Sequence, residues 1–227
     1  MKATVVIPTY NERENITEVI KKVLYHCRKK KIDVNILVVD DNSPDNTAEI
    51  VRNLGKEDKR ISVIVRKEKG LSGAIVKGLD SAKTEIVVNM DADLSHPTEK
   101  VPELIRNCEE YDLVIGSRYI RGGEIKGWPL KRILISKTAT LMAKILLGVK
   151  ENDPMSGFFA IKQSKFREIK DKMKPKGYKT LLEIIVRGKF KTKEIPITFI
   201  DRQKGKSKLS GNVIKHYLIM LKELMFD

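Results

Sequence analysis

Short runs of β-branched residues alternate with longer amphipathic stretches over the first 116 residues, a pattern that restricts the chain to a mostly parallel sheet with helices on its faces. Strands are predicted over 3–7, 35–39, 61–65, 85–90 and 112–116, with helices over 14–29, 46–54 and 71–82 between them. In open α/β sheets, ligands sit beyond the carboxyl ends of the strands. Attention therefore falls on 8–12, 40–45, 66–73 and 91–96, all rich in ligand-binding residue types. Past residue 116 the order is less regular. Gly122, Gly123, Gly127 and Pro129 mark a loop, and a basic helix follows from Lys131. A turn within 153–159 enters a short strand; a helix over 178–187, a strand over 194–200 and a final helix over about 211–227 complete the pattern. With 227 residues and 41% hydrophobic content, the chain suffices for one α/β core, read as a single domain over 1–227.

The formal net charge of +15 calls for an anionic partner: nucleic acid, phosphate-bearing substrates or a negatively charged membrane face. Nucleic acid is the poorest fit, because the motifs include no aromatic stacking platform and the ligand edge is acidic. Cys27 and Cys108 stand alone, without CxxC spacing, which points to reduced thiols in an intracellular setting. The N-terminus lacks the apolar core of a signal peptide, and no run approaches the ~18–20 apolar residues of a spanning helix. Segments 141–149 and 213–226 are amphipathic, suited either to a membrane interface or to covering the core.

Asp91-Ala-Asp93 follows an apolar strand directly. Two carboxylates one residue apart can face one hard cation, which in turn bridges to substrate phosphates. Ser95 and His96 come next; His96, before Pro97, reads as a surface turn residue. Asp40-Asp41 closes another strand, and adjacent carboxylates there repel unless a base, a ribose or a metal shell satisfies them. Ser43 or Asp45 is suited to cap the next helix. In the segment 8–12, Tyr10 can stack on a base and Glu12 can accept its hydrogen bonds; the lesser alternative is that Thr9 or Asn11 caps the first helix. Arg118 follows a strand, and Arg132 begins the basic helix with Ser136 one turn on; guanidinium forks suit an anionic acceptor. Arg202, Lys204, Lys206 and Lys208 lie on a glycine-bearing loop able to close over a diphosphate.

Taken in order, Pro8-Thr-Tyr-Asn-Glu-Arg-Glu-Asn15, Val38-Val-Asp-Asp-Asn-Ser-Pro-Asp45, Asp91-Ala-Asp-Leu-Ser-His-Pro97, Gly116-Ser-Arg-Tyr119, Asp153-Pro-Met-Ser-Gly157 and Asp201-Arg202 with Gly205-Lys-Ser-Lys208 resemble the motifs of dolichol-phosphate mannose synthases, which are family 2 inverting glycosyltransferases. The resemblance runs from about Val5 to Gly211. It implies a GT-A type, Rossmann-like fold with amphipathic interface helices, and transfer of mannose from GDP-mannose to dolichyl or polyprenyl phosphate with inversion. It implies that Pro8, Tyr10, Glu12, Val39 and Asp41 hold guanosine, and that Asp91, Ala92 and Asp93 handle the diphosphate and its Mg2+ or Mn2+. Arg118, Arg132 and Ser136 would receive the acceptor phosphate, and Arg202 and Lys208 would close on the donor. Ser95 stands where some relatives carry a metal-ligating Gln; its shorter side chain would leave that position to water. The implied location is peripheral, on the cytoplasmic face of a membrane, with room for a membrane-anchoring partner. A UDP-sugar donor with the same chemistry is the nearest alternative.

Overall fold

The computed structural model describes residues 2–174, 179–201 and 211–226, with 211–216 described by backbone alone. Its centre is a seven-stranded sheet built from β1 (Lys2–Thr9), β2 (Asp33–Asp40), β3 (Ile61–Val65), β4 (Ile86–Asn89), β5 (Leu113–Ser117), β7 (Phe159–Lys162) and β8 (Thr192–Pro196), in the order β3-β2-β1-β4-β7-β5-β8. All pairings are parallel except those of β7, which runs antiparallel between β4 and β5. A parallel ribbon pairs β6 (Glu124–Lys126) with β9 (Thr198–Ile200).

Helices cover both faces of the sheet, so β1 is buried at every position after Lys2 and its residues alternate between two cores. Val5 and Ile7 meet α1 (Ile16–Lys29), whose Ile16, Val19, Ile20, Val23 and Cys27 form one helical stripe, together with Leu104 and Ile105 of α4 (Val101–Asn107). Val6 faces the other way, toward α3 (Leu71–Ser81), α6 (Gln163–Ile169) and α7 (Thr180–Gly188). Here α3 approaches so closely that a Cβ on Gly78 would stand 2.2 Å from Val6 Cγ1. The remaining helices are α2 (Thr47–Glu57), α5 (Leu130–Leu147) and α8 (Gly211–Phe226). Tyr217 of α8 donates its hydroxyl to the Ala139 carbonyl of α5 and ties these two helices together.

The first half follows the predicted order, with the unpredicted α4 inserted between β4 and β5. The second gains the unpredicted α6 and differs at three further places. The segment expected as one late strand over 194–200 ends its pairing at Pro196 and restarts as β9, leaving the main sheet for β6. The glycine-rich loop contains β6, and β7 enters antiparallel in the middle of the sheet.

The chain winds outward from β1 through β2 to β3, then returns to place β4 on the other side of β1. The carboxyl ends of β1 and β4 therefore form the topological switch point, where such sheets open a crevice.

Candidate active site

That crevice holds a cavity of about 510 Å³, lined by Pro8, Tyr10 and Glu12 after β1, Asp41 after β2, Lys69 to Leu71 at the start of α3, and Asp91, Ala92 and Asp93 after β4. Lys69 Nζ donates to the Tyr10 hydroxyl at 2.8 Å and sits 4.6 Å above its ring. Glu12 Oε2 accepts from Asn15 Nδ2. Val39 is placed differently: its side chain is fully buried against α3 and is not among the residues that line the cavity.

The repulsion expected between Asp40 and Asp41 is met inside the protein. Asp40 is fully buried and accepts hydrogen bonds from the Thr9 hydroxyl, the Ser43 hydroxyl and the Ser43 N–H, which clamps the ends of β1 and β2 together. Asp41 accepts from Arg66 Nη1 at 2.9 Å and from the Gly70 N–H at 2.7 Å. Thr9 is thereby committed to Asp40, and Asn11 adopts a left-handed conformation, so neither caps α1. Asp45 accepts from the Thr47 N–H and hydroxyl at the start of α2, while Ser43 turns to Asp40.

Around the paired carboxylates the chain makes a tight turn. Asp93 Oδ1 accepts the Ser95 N–H, Leu94 is left-handed at φ 61°, and the Ser95 carbonyl accepts the Ile200 N–H from β9. A non-glycine residue in that region costs about 1–3 kcal/mol and persists where surrounding bonds hold it. His96 is not the surface turn residue that Pro97 suggests. Its ring is 3% exposed, stacked on Phe158 and edge-on to Phe199, and its Nδ1 accepts the Asp91 N–H at 3.1 Å. Burial holds its pKa down at about 4, so the ring is neutral and Nε2 carries the proton near Asp91 Oδ2.

The unfolded chain takes up this proton first as pH falls. His96 therefore contributes stability above pH 6.5 that drains away between 6.5 and 4. Urea denaturation at pH 7 and pH 5 should show that loss, and His96→Asn should make it shallower. A second prediction concerns Gly157, where a Cβ would lie 3.1 Å from Asp91 Oδ2 and 3.2 Å from His96 Cε1. Gly157→Ala should displace Asp91 by a few tenths of an ångström and reduce kcat/KM by about tenfold with the melting temperature nearly unchanged, as steady-state kinetics and circular dichroism would show.

Among the described residues no group of three His, Cys, Asp or Glu side chains can hold a metal. A hard cation at Asp91 and Asp93 would complete its shell with waters and substrate phosphates, the usual arrangement for Mg2+ at phosphate sites. The Ser95 hydroxyl, buried beside this turn with no hydrogen-bond partner, is a polar atom compatible with such a shell.

Two arginines are each paired with a carboxylate, and Arg118 lies near enough to Asp91 for that charge to act on it. The Arg118 guanidinium makes a two-pronged pair with Asp153, Nε to Oδ2 and Nη2 to Oδ1, both at 2.7 Å. Burial alone lowers the Arg118 pKa, but the Asp153 charge and hydrogen bonds outweigh it and the net shift is upward. Arg132 pairs with Asp201 at 3.1 Å and lies 3.9 Å over the Trp128 ring, which also faces Arg118 at 5.3 Å. Trp128 thus separates two guanidinium groups that would otherwise repel, offering each a π face. Ser136 accepts or donates a 2.8 Å hydrogen bond with Tyr119. Arg202 and Lys208 lie outside the described residues.

Asp153, Trp128 and Lys179 take part without having been singled out for a role in the sequence. Asp153 is fully buried. Lys179 precedes α7, and burial followed by Arg118 pushes its pKa down to about 8, while Asp153 and Asp91 pull it up. It stands electrostatically coupled to both halves of the site.

Residues 4–170 match the family model described as Glycosyl transferase family 2. The chain belongs to glycosyl transferase family 2. Dolichol-phosphate mannosyltransferase of Pyrococcus furiosus is 42% identical over 99% of this chain, which spans 64% of that relative's length. Dolichol-phosphate mannosyltransferase of Saccharomyces cerevisiae is 37% identical over 97% of the chain and 86% of the relative. Polyprenol monophosphomannose synthase of Mycolicibacterium smegmatis is 36% identical over 98% and 86%. Among solved structures, glucosyl-3-phosphoglycerate synthase of Mycobacterium tuberculosis, in complex with Mn2+, UDP-glucose and phosphoglyceric acid, superposes with a TM-score of 0.73 at 19% identity over 99% of this chain and 80% of that one. The likeness gives this family 2 glycosyltransferase a GT-A-like α/β fold.

Proposed function

We propose that this enzyme transfers mannose from GDP-mannose to the phosphate of a dolichol or other polyprenol, with inversion, at a membrane surface. The observation that carries the reading is the position of Asp91-Ala-Asp93, which follows β4 at the switch point, lines the 510 Å³ cavity and lies within electrostatic reach of the paired Arg118. The names of the Pyrococcus, Saccharomyces and Mycolicibacterium relatives support mannose and a polyprenyl phosphate.

In this reading Pro8, Tyr10, Glu12 and Asp41 hold the nucleoside, and Arg118, Arg132 and Ser136 hold the acceptor phosphate. Val39 serves through its backbone at the end of β2, opposite Pro8 in the strand register. A divalent cation, Mg2+ or Mn2+, held by Asp91 and Asp93 near Ser95 would neutralise charge on the departing diphosphate. The acceptor oxygen attacks the anomeric carbon in a single displacement. A phosphomonoester with a second pKa near ~6 is already largely dianionic at neutral pH, so no side chain need remove a proton. The neutral, buried His96 and the paired Arg118 act by position and charge.

Seating at the membrane is assigned to α5 and α8. Leu130, Leu134, Leu141 and Ile145 fall within about 60° of arc on α5 and are 56–85% exposed. On α8, Leu218, Ile219, Met225 and Phe226 are exposed as well. No described helix is long and apolar enough to cross a membrane; the contact proposed for these two amphipathic helices is peripheral, with room for an anchoring partner. The buried free thiols of Cys27 and Cys108, pushed up to about 12 by desolvation, fit the cytoplasmic face.

The donor is tested by offering GDP-mannose, UDP-glucose and UDP-N-acetylglucosamine in parallel. Transfer from GDP-mannose alone is expected; transfer only from a uridine donor would keep the mechanism and replace the substrate.

A further inference from the structure

A second cavity, of about 460 Å³, lies between α5 and the chain following β5, and it shares no lining residue with the donor cavity. Arg118, Tyr119, Lys137, Thr140, Lys144 and Asn152 line it, with no carboxylate among the lining residues. Lys144 Nζ donates to the neutral Asn152 Oδ1, and Lys137 has no hydrogen-bond or ion-pair partner among the described residues. Arg118 is compensated by Asp153, so the charge left without a carboxylate in this cavity is that of Lys137 and Lys144.

Thr140 supplies an independent observation. It is only 8% exposed, it lines the cavity, and its hydroxyl is buried with no partner. A helical threonine ordinarily returns its hydroxyl to the carbonyl four residues back, and leaving it unpaired in a buried place costs about 1–3 kcal/mol. A hydroxyl kept at that cost beside two lysines suits an anion with acceptor oxygens.

Leu141 both lines the cavity and belongs to the exposed apolar stripe of α5, so the mouth opens where that stripe would meet lipid. The occupant is then an amphiphile with a phosphate head. The reacting acceptor phosphate must lie beside Asp91 and Asp93, whereas Thr140 and Lys144 are four and eight residues beyond Ser136 on α5, about 6 and 12 Å along the axis. We propose that this cavity binds the phosphate headgroup of an anionic bilayer phospholipid, fixing α5 in register on the membrane. The proposal rests on the membrane seating of α5 described above.

The test is binding to phosphatidylcholine vesicles with and without a minor fraction of phosphatidylglycerol. Thr140→Val removes the hydroxyl at constant shape and charge and should fold at least as stably as the parent. It should lose about tenfold of the phosphatidylglycerol-dependent affinity, within the range of hydrogen bonds to charged groups, and keep its affinity for pure phosphatidylcholine. Lys137→Ala with Lys144→Ala should lose more than Lys29→Ala with Lys30→Ala, which removes equal charge from the exposed end of α1. Parental binding by Thr140→Val, or equal losses from the two lysine pairs, would overturn the proposal in favour of diffuse charge. A raised KM for polyprenyl phosphate in detergent with vesicle binding unchanged would overturn it by assigning the cavity to the acceptor. No binding of the parent to either vesicle would overturn the membrane seating and the site together, whereas failure of the phosphatidylglycerol increment alone leaves the seating standing.

Discussion

Asp93→Ala is expected to lower the transfer rate by about 10³-fold or more while leaving the fold intact, because in the proposed reaction it removes charge directed at the departing group rather than support from the core. Asp93 is partly exposed at the rim of the donor cavity, and the turn that carries it is also tied by the Ser95 carbonyl to Ile200 and by the Asp91 N–H to His96. The loss should appear in kcat/KM with little change in melting temperature. Addition of Mn2+ at high concentration should recover only a small part of it. A variant retaining a tenth or more of parental activity would remove Asp93 from the chemistry.

The second large effect is expected at Asp153, and it should appear first as instability. Asp153 is fully buried and accepts three hydrogen bonds from Arg118: from Nε, from Nη2 and from the backbone N–H. Asp153→Asn leaves the guanidinium buried without its counter-charge, and breaking such a pair costs about 3–5 kcal/mol. That is a large fraction of the ~5–15 kcal/mol that separates folded from unfolded domains. A drop in the urea midpoint accompanied by lost activity is the expected result. Replacing both partners by apolar residues, Arg118→Met with Asp153→Leu, should recover most of the stability and none of the activity. Such a result would separate the pair's structural cost from the guanidinium's use in the reaction. Equal stability of Asp153→Asn and the parent would show that Arg118 finds another counter-charge.

How much of this was legible in the sequence follows from how local each signal is. Strands β1, β2 and β4 are buried on both faces and read as continuous apolar runs, so the switch point and its carboxylates could be located directly. The four-residue β7, set antiparallel between β4 and β5, offers too short a pattern, and its direction is decided by tertiary pairing. β6 and β9 are three residues each and acquire meaning only by pairing with one another. The same contrast holds within the site. Asp91 and Asp93 are neighbours in sequence, whereas Asp153 reaches Arg118 across 35 residues and Asp201 reaches Arg132 across 69. Trp128 sits in a segment marked by glycine and proline, where nothing local distinguishes a packed indole from a loop residue. His96 precedes a proline, which signals a turn without saying whether the ring faces water or Phe158.

The central claim is metal-assisted mannosyl transfer to a lipid phosphate at the Asp91–Asp93 crevice. It is tested most directly by incubating the enzyme with radiolabelled GDP-mannose and polyprenyl phosphate and counting label in the organic phase, with Mg2+ or Mn2+ and with chelator. The expected result is organic-phase label that requires both the lipid and the metal. Label that persists undiminished in chelator would contradict the role given to Asp91 and Asp93, and no lipid-borne label under any condition would contradict the proposed reaction.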